Sequence, residues 1–318
     1  MKKPTAKDVT KKGLAPLLGQ DLKRGEHVVG QTERLLLPPT SDTDFYAKKR
    51  AKEKELGHKL TTEDFQENHY EADGAGNTGT SIFDPVLCEL VYRWFAPPKA
   101  RILDPFAGGS VRGIVAAYLE HEYFGVDLSG RQLKENRKQT SVLSQGQTKP
   151  KWIEGDSKDI LSLVCGEFDL VFSCPPYADL EVYSEDPRDV SVIAAKDYPA
   201  FVAAYRHIVA SCVTLLKPDR FAAFVVGDIR GPDGFYRNFP AETIKAFQDA
   251  GAVLYNEAVL VTAVGSLPIR IGKQFGKNRK LGKTHQNLLV FFKGDPKAIA
   301  RDFPTVEAAL PAADALPL

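Results

Sequence analysis

The sequence lacks the features that mark several classes of protein. Its four cysteines lie far apart and form no C-x-x-C pair, which argues against a structural zinc site and a disulfide framework. No apolar run approaches the roughly 20 residues that a membrane-spanning helix needs. Residues 1–18 carry lysines but no apolar stretch of the kind found in secretory signals. We therefore expect a cytoplasmic protein that uses neither a membrane nor a metal.

An excess of one charge is also missing. Lys and Arg number 42 against 41 Asp and Glu, so the formal net charge is +1 at pH 7. The whole molecule therefore supplies no long-range attraction for nucleic acid, and any such attraction must come from a local cluster. At 318 residues, the chain has room for one large α/β core with tails.

Composition divides the chain into three predicted parts. Residues 1–78 are rich in Lys, Glu, Thr and Gly and predict a polar, partly ordered N-terminal arm. Residues 79–296 predict the catalytic domain, which opens with an amphipathic helix from Ile82 to the residues before Pro97. Residues 297–318 are left as a C-terminal tail.

Short apolar runs alternate with helical patterns through the predicted catalytic domain. This rhythm predicts an α/β fold with an open, doubly wound, Rossmann-like sheet. The predicted strands are Arg101–Leu103, Tyr123–Val126, Lys151–Glu154, Leu170–Ser173, Phe221–Val226, Val253–Thr262 and Asn287–Phe292. The predicted helices after the first strand are Val111–Leu119, Arg131–Thr140, Tyr198–Leu216 and Ala241–Ala250.

The residues after the first three strands suit a nucleotide-like ligand, because such sheets bind ligands at the carboxyl ends of their strands. A Gly-containing turn after the first strand brings the backbone close to a ligand before a helix begins. An acidic residue after the second strand is placed for the two hydroxyls of a ribose, and a Gly-Asp-Ser turn after the third for an adenine amino group. The candidate cofactor-binding residues on these turns are Asp104, Pro105, Phe106, Gly108, Gly109, Ser110, Asp127, Leu128, Asp156 and Ser157.

The fourth predicted strand ends at Ser173-Cys174-Pro175-Pro176-Tyr177. Together with the Asp104–Ser110 turn, this loop resembles the motifs of the DNA amino-methyltransferases, a D-P-F-x-G-x-G-like turn and a [D/N/S]-P-P-[Y/F] loop. The similarity spans about Thr80 to Gly294. The motif order matches the gamma arrangement of that family, although the residues of the motifs are nearer those of the beta group.

The resemblance implies a seven-stranded sheet whose last strand is antiparallel, in a bacterial or bacteriophage enzyme of the restriction-modification kind. It implies that S-adenosylmethionine lies in the crevice formed by Asp104, Asp127 and Asp156. It also implies that the segment containing Ser81 and Phe83 touches the methionine end of the cofactor. The reaction would be methylation of adenine N6 or cytosine N4 in DNA.

The Pro-Pro-Tyr loop has a physical connection with amino methylation. The lone pair of an exocyclic amino nitrogen is delocalised into the base, so it must be localised before it can attack a methyl group. A rigid loop would do this by aiming the side chain before the prolines and the Pro175 carbonyl at the amino hydrogens, while Tyr177 stacks on the base. We therefore take Cys174, Pro175, Pro176 and Tyr177 as catalytic candidates.

Cys174 departs from the family pattern of Asp, Asn or Ser, because a thiol is a weak acceptor. Either the Pro175 carbonyl and a neighbouring group carry the hydrogen bonding, or the Cys174 thiolate adds to C6 of a pyrimidine and activates C5 for methylation. Asp228, after the fifth strand, is a candidate for the missing acceptor, or it is a solvated carboxylate at a strand end.

One local cluster of positive charge lies in the loop 265–286, which we predict as a recognition-like loop. No acidic residue occurs between Pro268 and His285, and contact with DNA phosphates is the simplest use of such a cluster. The candidate DNA-binding residues are Arg270, Lys273, Lys277, Arg279, Lys280 and Lys283. The same motifs also suit an RNA or protein-glutamine methyltransferase, and a catalytically dead DNA-binding relative is a further alternative.

Overall fold

The computed structural model describes residues 52–57, 83–143, 148–176, 186–261 and 274–305. These residues belong to two compact units. The first contains residues 83–261 and 285–305, and the second contains residues 52–57 and 274–284. Within the second unit, residues 52–56 and 274–278 are helical. Among the helices of the described ranges, none has the length and apolar character to cross a membrane.

The first unit alternates strands and helices along the chain. The strands are β1 (Arg101–Asp104), β2 (Glu122–Asp127), β3 (Lys151–Glu154), β4 (Phe168–Ser173), β5 (Leu216–Val226), β6 (Val253–Val261) and β7 (His285–Lys293). The helices are α1 (Pro85–Phe95), α2 (Val111–Tyr118), α3 (Gly130–Leu143), α4 (Ile160–Leu163), α5 (Val190–Lys196), α6 (Tyr198–Leu215), α7 (Phe239–Asp249) and α8 (Ile299–Asp302). Short 3-10 helices at Ser157–Asp159 and Pro296–Ala298 precede α4 and α8.

The seven strands form one sheet in the order β3-β2-β1-β4-β5-β7-β6. Strands β1 to β5 pair in parallel, whereas β7 is antiparallel to both β5 and β6 between which it lies. The prediction of a doubly wound, Rossmann-like sheet whose last strand is antiparallel is confirmed. The reversal of strand order between β1 and β4 marks the switch point at which such sheets bind ligands.

Two apolar layers cover the two faces of the sheet. On one face, α6 and α7 bury Phe201, Tyr205 and Phe247 against the strands. On the other face, α1 and α2 bury Tyr92 and Val115. Strand β4 is buried along its whole length, as expected for a central strand that is covered on both sides.

Three local features differ from the sequence prediction. Strand β5 begins at Leu216 instead of Phe221, because its charged first half also pairs with both neighbouring strands. Leu216 lies opposite Phe168 of β4, and Arg220 lies opposite Lys293 of β7. The 3-10 turn and α4 follow β3, where no helix was predicted. Helix α5 lies in a segment that we expected to be a loop, and Asp189 caps it by accepting from the Ser191 N–H at 2.8 Å.

Candidate functional site

The carboxyl ends of five neighbouring strands bring the predicted site residues to one edge of the sheet. The turn after β1 lies between Asp127, at the end of β2, and Cys174, which follows β4. Asp156 follows β3, and Asp228 follows β5. Of the sequence-predicted catalytic and cofactor-binding residues, Ser81 and Tyr177 lie outside the described residues. The remaining ones all belong to the first unit.

Asp104 is fully buried and is surrounded by donors from the protein itself. Its Oδ2 accepts from Arg112 Nε and from the Tyr123 hydroxyl, both at 2.6 Å. Its Oδ1 accepts from the Ser173 hydroxyl at 2.6 Å and from the Phe106 N–H at 3.1 Å. The Asp104 carboxylate therefore stabilises the turn from its buried side, and both of its oxygens bind donors within the protein.

Arg112, on α2, is the buried partner that compensates the charge of Asp104. Its Nη2 also donates to the carbonyls of Phe106 and Ala107, at 2.6 and 3.0 Å. Its guanidinium lies 4.6 Å from the ring centroid of Phe83. Burial lowers the pKa of Arg112, but the attraction of the Asp104 carboxylate raises it by more. The pKa is therefore raised, and the side chain stays charged.

Asp127 is half-exposed at the end of β2 and faces the turn. Its Oδ2 accepts from the Gly108 N–H and its Oδ1 from the Ser129 N–H, both at 2.8 Å. Burial raises the pKa of this carboxyl, while the two N–H groups oppose the rise. A carboxylate has about four acceptor positions. Asp127 therefore keeps one acceptor position on each oxygen for two further donors.

Gly108 and Gly109 leave space above the turn. Gly108 has a φ of +49°, in the left-handed region that favours glycine. A Cβ built on Gly109 would meet no protein atom within 4 Å. The backbone of the turn is therefore open to a ligand on the side where these glycines lie.

The hydroxyls of the two predicted serines are engaged within the protein. Ser110 is buried and donates to Gln139 Oε1 on α3. Ser157 is buried and donates to the Pro105 carbonyl at 2.5 Å. Asp156 caps the 3-10 turn by accepting from the Lys158 N–H at 2.9 Å. Its Oδ2 also lies 3.2 Å from Lys158 Nζ.

Cys174 and the two prolines follow β4 directly. Cys174 is half-buried, Pro175 is buried and Pro176 is half-buried. The Cys174 thiol packs against the apolar cluster under α1 and α2. It lies close enough to Arg112 to contribute to the raised pKa of the guanidinium.

Asp228 lies where β5 ends, one strand away from the Cys174 loop. Its Oδ1 accepts from the Ile229 N–H at 3.0 Å and from the Phe239 N–H at 3.3 Å, at the start of α7. One of its carboxylate oxygens therefore closes the loop between β5 and α7. This is the arrangement of a structural cap at a strand end.

Four of the six predicted DNA-binding residues are described, all in the second unit. Lys277 and Arg279 are exposed, and Lys280 and Lys283 are half-buried. Arg279 has a φ of +57°, and its Nη1 donates to the Phe275 carbonyl at 3.1 Å. Arg270 and Lys273 lie outside the described residues. In the described part of the chain, no group of three or more His, Cys, Asp or Glu side chains could hold a metal ion.

Comparisons with known proteins find solved structures of similar architecture. No protein-family model matches the sequence, and the comparison with curated proteins found no match. TrmN from Thermus thermophilus is 18% identical with a TM-score of 0.44, and the match covers 66% of this chain and 49% of TrmN, so this chain spans about half the length of that protein.

The matches to two further solved structures cover a larger share of the chains in those structures. A methyltransferase from Pyrococcus furiosus is 14% identical with a TM-score of 0.45, over 80% of this chain and 100% of that one. Magnesium protoporphyrin IX methyltransferase (ChlM) from Synechocystis PCC 6803, crystallised with bound SAH, is 14% identical with a TM-score of 0.41, over 66% of this chain and 80% of that one.

Proposed function

We propose that this protein is an S-adenosylmethionine-dependent methyltransferase that methylates the exocyclic amino group of adenine or cytosine in DNA. The observation that carries the proposal is the arrangement of the strand ends. Strands β3, β2, β1 and β4 are neighbours in that order, so Asp156, Asp127, the Asp104–Ser110 turn and the Cys174-Pro175-Pro176 loop follow one another along one edge.

The fit of the cofactor rests on the turn after β1 and on Asp127. The two remaining acceptor positions of Asp127 match the two hydroxyls of a ribose, and the open space beside Gly109 accommodates a ligand against the backbone. Asp156 is the candidate for the adenine, and Phe83 for the methionine end. Asp104, Ser110 and Ser157 support this surface from inside, through hydrogen bonds within the protein.

When bound, S-adenosylmethionine would supply an electrophilic methyl group on a sulfonium. The protein's part is to hold the amino nitrogen in line with that methyl group and to localise its lone pair. The Pro175 carbonyl is the acceptor that would bind one amino hydrogen. Cys174, or Asp228 through its Oδ2, would receive the other, and Tyr177 would stack on the base.

DNA is the proposed substrate because of the basic segment between Pro268 and His285, which holds no acidic residue. RNA bases and protein glutamine carry the same planar amino group, and they are the alternatives. We also propose that the enzyme acts in the cytoplasm, which would be that of a bacterial host if a phage encodes it.

A second candidate reaction is methylation of cytosine C5, and a specific observation favours it. The Cys174 thiol is half-buried directly after β4, at the same edge of the sheet as the proposed cofactor turn, so its position suits attack on a base bound there. In that reaction the thiolate would add to C6 of the base, C5 would take the methyl group, and loss of the C5 proton would release the thiolate from C6.

Nucleoside mass spectrometry tests the proposal. The full chain is incubated with methyl-labelled S-adenosylmethionine and, in parallel, with duplex DNA, RNA or protein from a bacterial host. We expect label in N6-methyladenine or N4-methylcytosine from DNA alone. Label in 5-methylcytosine would support the second reaction, and label only in RNA or protein would overturn the DNA assignment. Cofactor binding without transfer to any of the three would identify a dead relative.

A further inference from the structure

The loop between β5 and α7 is a braced hairpin, residues 229–237, that carries two exposed aromatic side chains. Arg230 and Tyr236 form an antiparallel bridge. The Arg237 N–H donates to the Ile229 carbonyl at 2.8 Å, and the Gly231 N–H donates to the Phe235 carbonyl at 2.9 Å. Asp228 closes the base of the hairpin by accepting from the Ile229 N–H.

The tip of the hairpin is a tight turn over Gly231-Pro232-Asp233-Gly234. The Gly234 N–H donates to the Gly231 carbonyl at 2.8 Å. Proline at the second position is typical of such a turn, and Gly234, the fourth residue of the turn, has a φ of +84°. The Asp233 side chain accepts from the Phe235 N–H at 3.1 Å. The backbone on both sides of Phe235 is therefore fixed before any ligand arrives.

Phe235 projects from this rigid tip with 74% of its surface exposed. The neighbouring Tyr236 is 44% exposed, and the Arg230 guanidinium lies 3.8 Å from its ring centroid. A single exposed apolar side chain is ordinary on a protein surface. A phenylalanine held out by a closed hydrogen-bond network, beside a second aromatic ring and a stacked arginine, is the combination that proteins use to stack on nucleic-acid bases.

Two arginines flank the aromatic tip and make no ion pair with any carboxylate among the described residues. Arg230 Nη1 donates to the Gly234 carbonyl at 3.0 Å. The Arg237 guanidinium lies 4.7 Å from the ring centroid of Tyr198, and its Nε is buried without a hydrogen-bond partner. A Cβ on Gly231 would meet Arg237 Cζ at 2.6 Å, so the glycine makes room for this side chain. Both side chains are half-buried, and no described carboxylate neutralises their charge, so both add positive potential beside the tip.

The hairpin and the proposed catalytic loop follow adjacent strands at the same edge of the sheet. Strands β4 and β5 are parallel neighbours with Ser173 opposite Phe224. The catalytic loop begins at the residue after Ser173, and the hairpin begins three residues after β5 ends at Val226. An enzyme that methylates a base amino group in duplex DNA must turn the base out of the stack, and the gap that it leaves costs stacking free energy unless something fills it.

We propose that the hairpin 229–237 enters duplex DNA at the target base pair, where Phe235 fills the gap left by the flipped base and Arg230 and Arg237 bind the flanking phosphates. This inference rests on the proposed function. It predicts a requirement for Phe235 that depends on the substrate, since a target base without a partner costs less to turn out of the helix and depends less on a side chain that offsets this cost.

The test compares Phe235→Ala with the wild type on two DNA substrates, a full duplex and the same duplex with an abasic site opposite the target base. We expect Phe235→Ala to lower kcat/KM on the full duplex by about tenfold or more, the scale of one lost base-aromatic stack. The loss on the abasic duplex should be at most about twofold. Phe235→Trp should retain activity on both substrates.

Val142→Ala is the matched control, because Val142 is 75% exposed on α3, away from this loop. Fluorescence of 2-aminopurine at the target position gives a second readout that does not require methyl transfer. It should rise when the wild type binds and rise much less with Phe235→Ala. Arg230→Ala and Arg237→Ala should each reduce the salt dependence of DNA binding by about one unit of slope.

The outcomes separate the inference from the proposed function. If the wild type methylates duplex DNA and Phe235→Ala has the same kcat/KM, the hairpin does not replace the base. The same holds if Phe235→Ala loses the same factor in kcat/KM on both substrates. If the wild type flips the base without methylating it and Phe235→Ala flips it much less, the proposed reaction fails and the hairpin assignment stands. If the wild type does not bind DNA, both are overturned.

Discussion

The Ser173 hydroxyl donates a 2.6 Å hydrogen bond to Asp104 Oδ1 and thereby joins the loop after β4 to the turn after β1. The two residues are 69 positions apart in the sequence. Because Ser173 directly precedes Cys174, any shift of the Asp104 carboxylate moves the proposed catalytic loop together with the proposed cofactor turn. The two halves of the site share one buried anchor.

Removal of the cation from this anchor should destabilise the fold. In Arg112→Met, the Asp104 carboxylate stays buried without its compensating charge, and we expect the free energy of unfolding to fall by about 3–5 kcal/mol. Denaturant unfolding measures the change. The control is Lys138→Met, which breaks the exposed pair with Glu135 and should cost about 1 kcal/mol or less. Equal effects of the two substitutions would contradict the role given to Arg112.

Loss of Asp127 should weaken cofactor binding without unfolding the protein, although the Gly108 and Ser129 N–H groups lose their acceptor. In Asp127→Ala, two hydrogen bonds to a bound ribose disappear, and we expect the free energy of S-adenosylmethionine binding to fall by about 1–3 kcal/mol. Isothermal titration calorimetry gives the affinity, and circular dichroism checks the fold. Asp249→Ala is the control, because that carboxylate lies at the end of α7 and not at the carboxyl ends of the strands. Unchanged affinity in Asp127→Ala would rule out the ribose assignment.

The basic segment should contribute to DNA binding through its charge alone. We expect the triple substitution Lys277→Ala, Arg279→Ala and Lys280→Ala to lower affinity for all DNA sequences and to reduce the salt dependence by about one unit of slope for each lost phosphate contact. Fluorescence anisotropy at several salt concentrations measures it. Lys134→Ala with Lys138→Ala on α3 serves as the control. An unchanged slope in the triple variant would make the segment a solvated surface.

Cys174→Ser separates the two proposed reactions. If the loop only localises an amino lone pair, activity should be retained or raised, because a hydroxyl is the better acceptor. If Cys174 is the nucleophile for C5 methylation, turnover should stop, since a serine hydroxyl is far less reactive than a thiolate. Label transfer to DNA measures both, with Cys165→Ser, an exposed cysteine, as the control.

A substrate containing 5-fluorocytosine gives an independent answer about Cys174. It traps a covalent adduct only when a thiolate adds to C6. We expect retained activity in Cys174→Ser and no adduct with the wild type. A trapped adduct together with an inactive serine variant and 5-methylcytosine as product would replace amino methylation by the C5 reaction.

His121 should make the protein less stable in mild acid. Its Nδ1 accepts from the Ala100 N–H at 3.0 Å. Burial, with a smaller contribution from Arg93, lowers its pKa to about 4. In the unfolded chain the imidazole protonates near pH 6.5. Between these values the unfolded state binds more protons, so stability falls as the pH is lowered from about 6.5 to 4, by at most about 1.4 kcal/mol per pH unit.

Denaturant unfolding across this pH range measures the effect. His121→Asn keeps an acceptor for the Ala100 N–H without a titrating ring, and its stability curve should be flatter than that of the wild type. His207→Asn, at an exposed position on α6, should leave the slope unchanged. Wild-type stability that does not fall below pH 6 would exclude the buried, neutral imidazole.

The sheet was predictable because each strand is a compact apolar run. Strand β3 was predicted with its observed bounds, and β1 and β2 within one residue at each end. The first half of β5 was missed, because Lys217 and Arg220 look like loop residues. In the fold they pair with Asp169 at 2.8 and 3.4 Å. Helix α4 was missed because four residues are too few to show a period.

The site was predictable as a set of strand-end residues but not as a network. Asp104 was predicted as a cofactor contact, and the structure directs both of its oxygens to protein donors. Two of these donors, Tyr123 and Ser173, are 19 and 69 positions away and come from neighbouring strands. Arg112 was not singled out, although an arginine at the start of an otherwise apolar helix pattern is a signal that a buried acidic partner lies nearby.

The basic segment belongs to the connection 262–284 between β6 and β7. Val261 and His285, the residues on either side of this connection, face each other where the two strands pair. The sheet therefore fixes the distance between the two ends of residues 262–284, whatever their sequence or length. Because the ends are already held together, a doubling of the segment's length would cost only about 0.6 kcal/mol of loop entropy. Exchange of this segment would leave the strand register and the anchor at Asp104 unchanged. Surface segments whose ends a sheet holds in place are those that most readily accept changes of sequence and length.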